Sequence, residues 1–240
     1  MDITEKLERS KSSEKIDFNA IGCLNHPDRL VRVHQTDTLL VKPVWDIAGD
    51  YEGKLYAAYR ADHPEYDGIY VRSSLLQRLE EAARSVAASG DYKLVLHAGH
   101  RPVGIQKQLL QDVLQDYKKD HPDASNEAAL AHARMYVSDP DVKLPPHCCG
   151  AAIDVSLYDV KNDRPVDFGS TMNQDADISH LHSEKVSLLQ GENRLLLLKT
   201  MLEAGFASYY AEWWHFSYGD EIWAWFYGKD ACLFGLADVQ

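Results

Sequence analysis

From Leu75 the apolar residues Leu75, Leu76, Leu79, Ala82, Ala83 and Val86 recur every three to four positions. That spacing lines one face of a helix. Ser74-Leu75-Leu76-Gln77 has the form of a capping box at its start, and Gly90 is placed to stop it. The pattern then changes to a compact apolar run, Tyr92-Lys93-Leu94-Val95-Leu96-His97-Ala98, which predicts a strand, followed by a turn at Gly99-His100-Arg101-Pro102. Val103 to Tyr117 and Glu127 to Val137 return to helical spacing. Ala152-Ile153-Asp154-Val155-Ser156-Leu157 alternates, so Ile153, Val155 and Leu157 share one face of a strand and Asp154 and Ser156 the other. A polar loop is expected over 159–183, a Leu-rich helix over Glu184 to Ala204 closed by Gly205, an aromatic strand over Tyr209 to Tyr218, and a short helix over Ile222 to Phe226.

The first third is less regular. Residues 1–16 read as a loose polar arm, and Ala20 to Asp67, with Pro27, Pro43 and Pro64, as irregular chain and short strands. Residues 17–240 are expected to form one domain. Strands are few and their connections vary widely in length, which favours an α+β fold with a small, mainly antiparallel sheet flanked by helices.

Composition narrows the function classes. The formal net charge of −12 repels polyanions, so nucleic acid and anionic membrane are not expected partners. No stretch approaches the length of apolar chain that spans a bilayer, and the mixed-charge start Met1-Asp2-Ile3-Thr4-Glu5-Lys6 lacks the form of a secretory signal. Four cysteines, Cys23, Cys148, Cys149 and Cys232, are too few for a disulfide framework in 240 residues. Together these lead us to expect a cytoplasmic protein.

Two clusters carry candidate chemistry: His147-Cys148-Cys149-Gly150-Ala151-Ala152-Ile153-Asp154 and Glu212-Trp213-Trp214-His215. They offer two imidazoles and two carboxylates, the donor set of a zinc site with an open position. His147 would precede a tight turn at Gly150, Asp154 would point from the polar face of its strand, and His215 would arrive from the aromatic strand. Bland readings remain for each: Asp154 as a turn cap, or Glu212 and His215 as an ion pair on a solvated edge. The spacing of Glu212 and His215 also places them on opposite faces of an ideal strand, so a bend or bulge between them is expected. The tryptophans 213, 214, 223 and 225 fit core and pocket wall better than a cofactor box.

His147-x-x-Gly150-x-Ala152-x-Asp154 followed by Glu212-x-Trp214-His215 resembles the vancomycin-resistance type of D-alanyl-D-alanine dipeptidase, within the zinc D,D-peptidases. His100-Arg101-Pro102 is similar to that family's Tyr-Arg-Pro turn. Gly169-Ser170 with Ser179-His180 resembles its mid-loop, and Asn193-Arg194-Leu195, Met201 and Gly205-Phe206 its C-terminal segment. The resemblance covers roughly residues 92 to 218. It implies the fold shared with the hedgehog signalling domain, one zinc ion (Zn2+) per chain held by His147, Asp154 and His215, and Glu212 as the general base. It also implies Arg101 as the group that stabilises the oxyanion, and a small D-configured dipeptide as substrate. Read without the family, Arg101 is a salt-bridge partner for one of the many carboxylates.

Departures from the family pattern bear on the substrate. Pro145 replaces a serine two residues before His147, and Asn173 stands where an aspartate helps hold the substrate ammonium. An amide in place of a carboxylate loses a charge-assisted contact, which Asp175 or Asp177 would have to restore. Thiolates compete well for zinc, so Cys148 or Cys149 is an alternative ligand, against the reading of both as bystanders in the turn; the pair His180 and His182 could bind metal, against a loop-packing role. The competing readings are a D,D- or L,D-carboxypeptidase acting on longer wall peptides and a non-catalytic zinc-bearing binding module.

Overall fold

The computed structural model describes residues 1–12, 16–17, 21–46, 51–172 and 177–239. In chain order the elements are α1 (Ile3–Arg9), β1 (Gly22–Cys23), β2 (Leu30–Arg32), β3 (Leu39–Val41), α2 (Tyr51–Asp62), β4 (Tyr70–Arg72), α3 (Ser73–Ala87), β5 (Tyr92–Ala98), α4 (Val103–Asp120) and α5 (Asn126–Tyr136). There follow β6 (Ala152–Asp159), β7 (Arg164–Pro165), α6 (Leu188–Glu203), β8 (Ala207–Tyr209), β9 (Glu212–Ser217), α7 (Glu221–Phe226) and β10 (Ala231–Cys232). The expected α+β fold is present. Its main sheet runs β3-β5-β6-β9-β8, with β7 on the end of β6, and only the β3–β5 ladder is parallel.

The inward face of β6, Ile153, Val155 and Leu157, packs with Leu75, Leu79, Ala82 and Ala83 of α3 and with Leu197, Leu198, Met201 and Leu202 of α6, all buried. Each such Leu or Ile stabilises the fold by about 1.5–3 kcal/mol relative to exposure. The opposite face of β6 carries Asp154 and Ser156, as its alternation predicts.

Local chemistry differs from expectation at several places. α3 begins two residues before the start that a Ser74 cap would set, and in place of a local box Asp28 serves this end, its Oδ2 accepting from Ser74 N at 3.0 Å and from Ser74 Oγ at 2.6 Å. The capping box of the long C-terminal helix, Ser187 with Gln190, delays α6 to Leu188. The single aromatic strand expected over Tyr209 to Tyr218 is a hairpin, β8 and β9, turning at Tyr210 and Ala211. The arm expected to be loose is instead helical over Ile3–Arg9: Asp2 and Glu5 form a capping box, Lys6 Nζ donates to Leu202 O at 2.7 Å, and the Arg9 guanidinium lies 3.9 Å above the Trp225 ring. The region expected to be irregular holds α2.

Candidate metal centre

His147, Asp154 and His215 are brought together. One nitrogen from each histidine and one carboxylate oxygen of Asp154 lie within 4.8 Å of one another, and all three residues are buried. Strand register explains two of them. β6 and β9 are antiparallel with Asp154 directly opposite His215, so the pair shares a face of the sheet. His147 comes from a 3-10 turn, His147–Cys149, that ends at Gly150 in the left-handed region (φ 66°). The left-handed backbone at Gly150 favours glycine, and an added Cβ would also have to displace the end of the Leu30 side chain.

Each imidazole is oriented. His147 Nδ1 is 2.8 Å from Gly99 O. A carbonyl only accepts, so Nδ1 carries the proton and the Nε2 lone pair faces Asp154 Oδ2 at 3.4 Å. His215 Nδ1 lies 3.4 Å from Asp154 Oδ1 and 3.6 Å from Glu212 Oε2. Asp154 Oδ1 is buried without a hydrogen-bond partner. Burial opposes the charge of Asp154, but His147 and His215 outweigh it and hold the carboxyl well below its ordinary value. A buried anion with an orphaned oxygen beside two imidazole nitrogens that face it fits a divalent cation with N,N,O ligation.

Glu212 borders this cluster with its side chain 40 % exposed to the cleft. Loss of water against the cleft wall pushes its pKa up, Asp154 adds to the rise, and His215 opposes it. A carboxylate with a raised pKa is suited to accept and return a proton near neutrality. The expected irregularity is there. Between Ser208↔Phe216 and Tyr209↔Glu212 the chain advances one residue on β8 and four on β9, so Glu212 leaves strict alternation and reaches the face of His215.

Arg101 is 15 % exposed and lines the same cleft of about 710 Å³. Its Nε and Nη2 converge on Glu52 Oε1 at 2.8 and 2.6 Å, Nη1 donates to Gln106 Oε1 at 2.9 Å, and its backbone N–H donates to His147 O at 3.1 Å. Burial opposes the charge, and Glu52 overrides it to keep the guanidinium firmly ionised. Arg101 therefore makes the salt bridge expected of it without the family, and it also borders the cleft. Pro145 and His180 also line the cleft. Asn173 and Asp175 lie outside the described residues. Asp177 is exposed and paired with Lys185 Nζ at 2.8 Å. The thiols of Cys148 and Cys149 are buried and neutral, that of Cys148 pushed up to about 12 by desolvation. His182 packs on Ser10 Oγ at 3.0 Å.

The sequence alone did not single out Glu52, or Arg194 as an anchor. Arg194 is fully buried, and donates to Phe168 O, His180 O and Ile178 O at 2.8, 2.6 and 2.9 Å, latching the loop that carries His180. Its motif could be seen but its partners could not.

A sequence model of the D-Ala-D-Ala dipeptidase family, Peptidase M15, matches residues 58–231. The chain belongs to this family. Its relatives include a D-alanyl-D-alanine dipeptidase of Synechocystis, 26% identical over 196 residues covering 72% of this chain and 79% of that one. Another, from Enterococcus faecalis, is 29% identical over 180 residues, covering 74% and 83%. Among solved structures, a mutant of the vancomycin-resistance D,D-pentapeptidase VanY in complex with Zn(II) aligns with TM-score 0.41 and 18% identity, over 69% of this chain and 83% of that one. The dipeptidase family model thus spans His147, Asp154, Glu212 and His215 together, and the protein is a peptidase by family. Among the described residues, no helix is long and apolar enough to cross a membrane.

Proposed function

We propose that this peptidase hydrolyses D-Ala-D-Ala or a closely related D-configured dipeptide, with one zinc ion held by His147 Nε2, Asp154 and His215 Nδ1. The observation that carries the reading is the convergence of those three donors beside Glu212 in one cleft, within a chain of this family. When bound, zinc supplies Lewis acidity, polarising a peptide carbonyl and acidifying a water.

The chain's own groups do the rest. Glu212 accepts the proton of the attacking water and returns it to the leaving amine, for which its raised pKa suits it. Arg101, fixed by Glu52 and Gln106, presents a permanent cation to the oxygen that gains negative charge as the carbonyl becomes tetrahedral. The Gly99 carbonyl holds the His147 proton on Nδ1, which keeps the Nε2 lone pair inward.

The test compares free D-Ala-D-Ala with its N-acetylated form, measuring D-alanine release by the zinc-loaded protein. Turnover of the free dipeptide is expected. Turnover of the blocked peptide alone would replace this reading with a carboxypeptidase.

A further inference from the structure

His215 Nε2, the nitrogen turned away from Asp154, lies 3.3 Å from Ser217 Oγ. The two residues are two apart on β9 and share a face. The Ser217 hydroxyl stands in turn against the carboxylate of Asp220, which is 1% exposed. Oδ1 of Asp220 caps α7 by accepting from Trp223 N at 2.8 Å. Oδ2 is buried and lacks a partner with full hydrogen-bond geometry. A cap needs one oxygen, and asparagine or serine would serve as well. Capping therefore does not account for a whole carboxylate in the interior, where an ionised group is costly unless it has charged or polar partners. A chain of polar groups leads from it through Ser217 to His215.

We propose that Asp220 is a positioning residue for His215, acting through Ser217. The Ser217 hydroxyl donates to Asp220, and its oxygen accepts from His215 Nε2–H. That fixes the tautomer with the Nδ1 lone pair toward Asp154, and it holds the ring against rotation. A hydroxyl suits the middle place because it donates and accepts at once. The opposite register position is Ala152, which leaves room for it. Outer partners of ligating histidines raise ligand basicity and orient the ring, and their loss commonly weakens metal binding about 10- to 100-fold.

This inference rests on reading the cluster as a metal site, and the experiment separates the two. Zinc affinity is measured by competition with a chromophoric chelator for the wild type, Ser217→Ala, Asp220→Asn and the double variant, with thermal melts of the metal-free forms alongside. The visible spectrum of the Co(II)-loaded proteins reports ligand geometry without reference to turnover. Each single variant is expected to bind zinc about 10- to 100-fold more weakly, with an altered Co(II) spectrum. The double variant is expected to be no weaker than the weaker single, because Asp220 acts through Ser217. Single variants within twofold of wild type, or fully multiplicative losses in the double, would overturn the relay while leaving the metal site standing. Absence of metal uptake by the wild type would overturn both. Asn retains a good cap, so Asp220→Asn decides the question alone if Ser217→Ala fails to fold.

Discussion

Glu52→Gln isolates the ion pair that fixes Arg101. Both side chains are almost enclosed, 15 % and 11 % exposed, with two guanidinium nitrogens on a single carboxylate oxygen. Taking about 4 Å between charge centres and an effective dielectric of about 20, the attraction is about 4 kcal/mol. The amide keeps an acceptor for one N–H but leaves a buried cation without its counter-charge, a change that commonly costs about 3–5 kcal/mol. We therefore expect a loss of about 3 kcal/mol, which in a chain of this size lowers Tm by about 6–12 °C. Differential scanning calorimetry of the metal-free protein measures it. Activity should fall about 10- to 100-fold in kcat with a smaller change in KM, because Arg101 loses its fixed position more than its charge. The double variant Arg101→Gln/Glu52→Gln removes both charges, so it should recover much of the stability while remaining inactive. A Glu52→Gln melt within about 2 °C of wild type, with normal kcat, would refute the claim that this pair positions Arg101.

Other consequences are separately measurable. Glu212→Gln should bind zinc normally by chelator competition yet lose about 10²- to 10⁴-fold in kcat, the usual range for a lost general base; unchanged hydrolysis removes Glu212 from the mechanism. His100 is buried with its pKa depressed from 6.5 to about 4 by desolvation, so its neutral form favours folding. That contribution is complete above pH 6.5 and is lost as pH falls toward 4, by about 3 kcal/mol at 1.36 kcal/mol per pH unit, and denaturant melts of His100→Gln should lack that part of the acid slope. Gly150→Ala meets both a left-handed backbone and Leu30, and should lower stability by more than about 2 kcal/mol together with zinc affinity.

The three residues of the proposed metal site were legible because each sits in a short stretch whose local geometry is strong. His147 to Asp154 spans one turn and one alternating strand, and alternation alone aimed Asp154 away from Ile153 and Val155. The mismatch between Glu212 and His215 was legible as a conflict, and the β8–β9 irregularity is its physical resolution. What escaped has long-range causes. Asp28 caps α3 from 46 positions away, so the sequence offered only the local Ser74–Gln77 pattern. In α2 only Gly53 and Tyr56 are buried, leaving little apolar periodicity to mark the helix that delivers Glu52. Tyr209 and Tyr210 suit a strand equally well, and no Gly or Pro marks the turn that divides β8 from β9.

The ladder that builds the core also sets the geometry of the proposed metal site. On β9, Phe216 is fully buried opposite Ile153, and its neighbours His215 and Ser217 necessarily face the other way, toward Asp154 and Ala152. Slipping this pairing by one residue would expose Ile153 or Phe216, at about 1.5–3 kcal/mol each, and would carry His215 into the apolar layer. Core packing therefore selects the only register in which His215 and Asp154 meet. Glu212 lies where β9 departs from that ladder on its β8 side, and it keeps more exposure than the ligands. The division suits the chemistry proposed: ligands must hold a fixed distance from one another, whereas a base that takes a proton from water and delivers it to an amine must serve two positions.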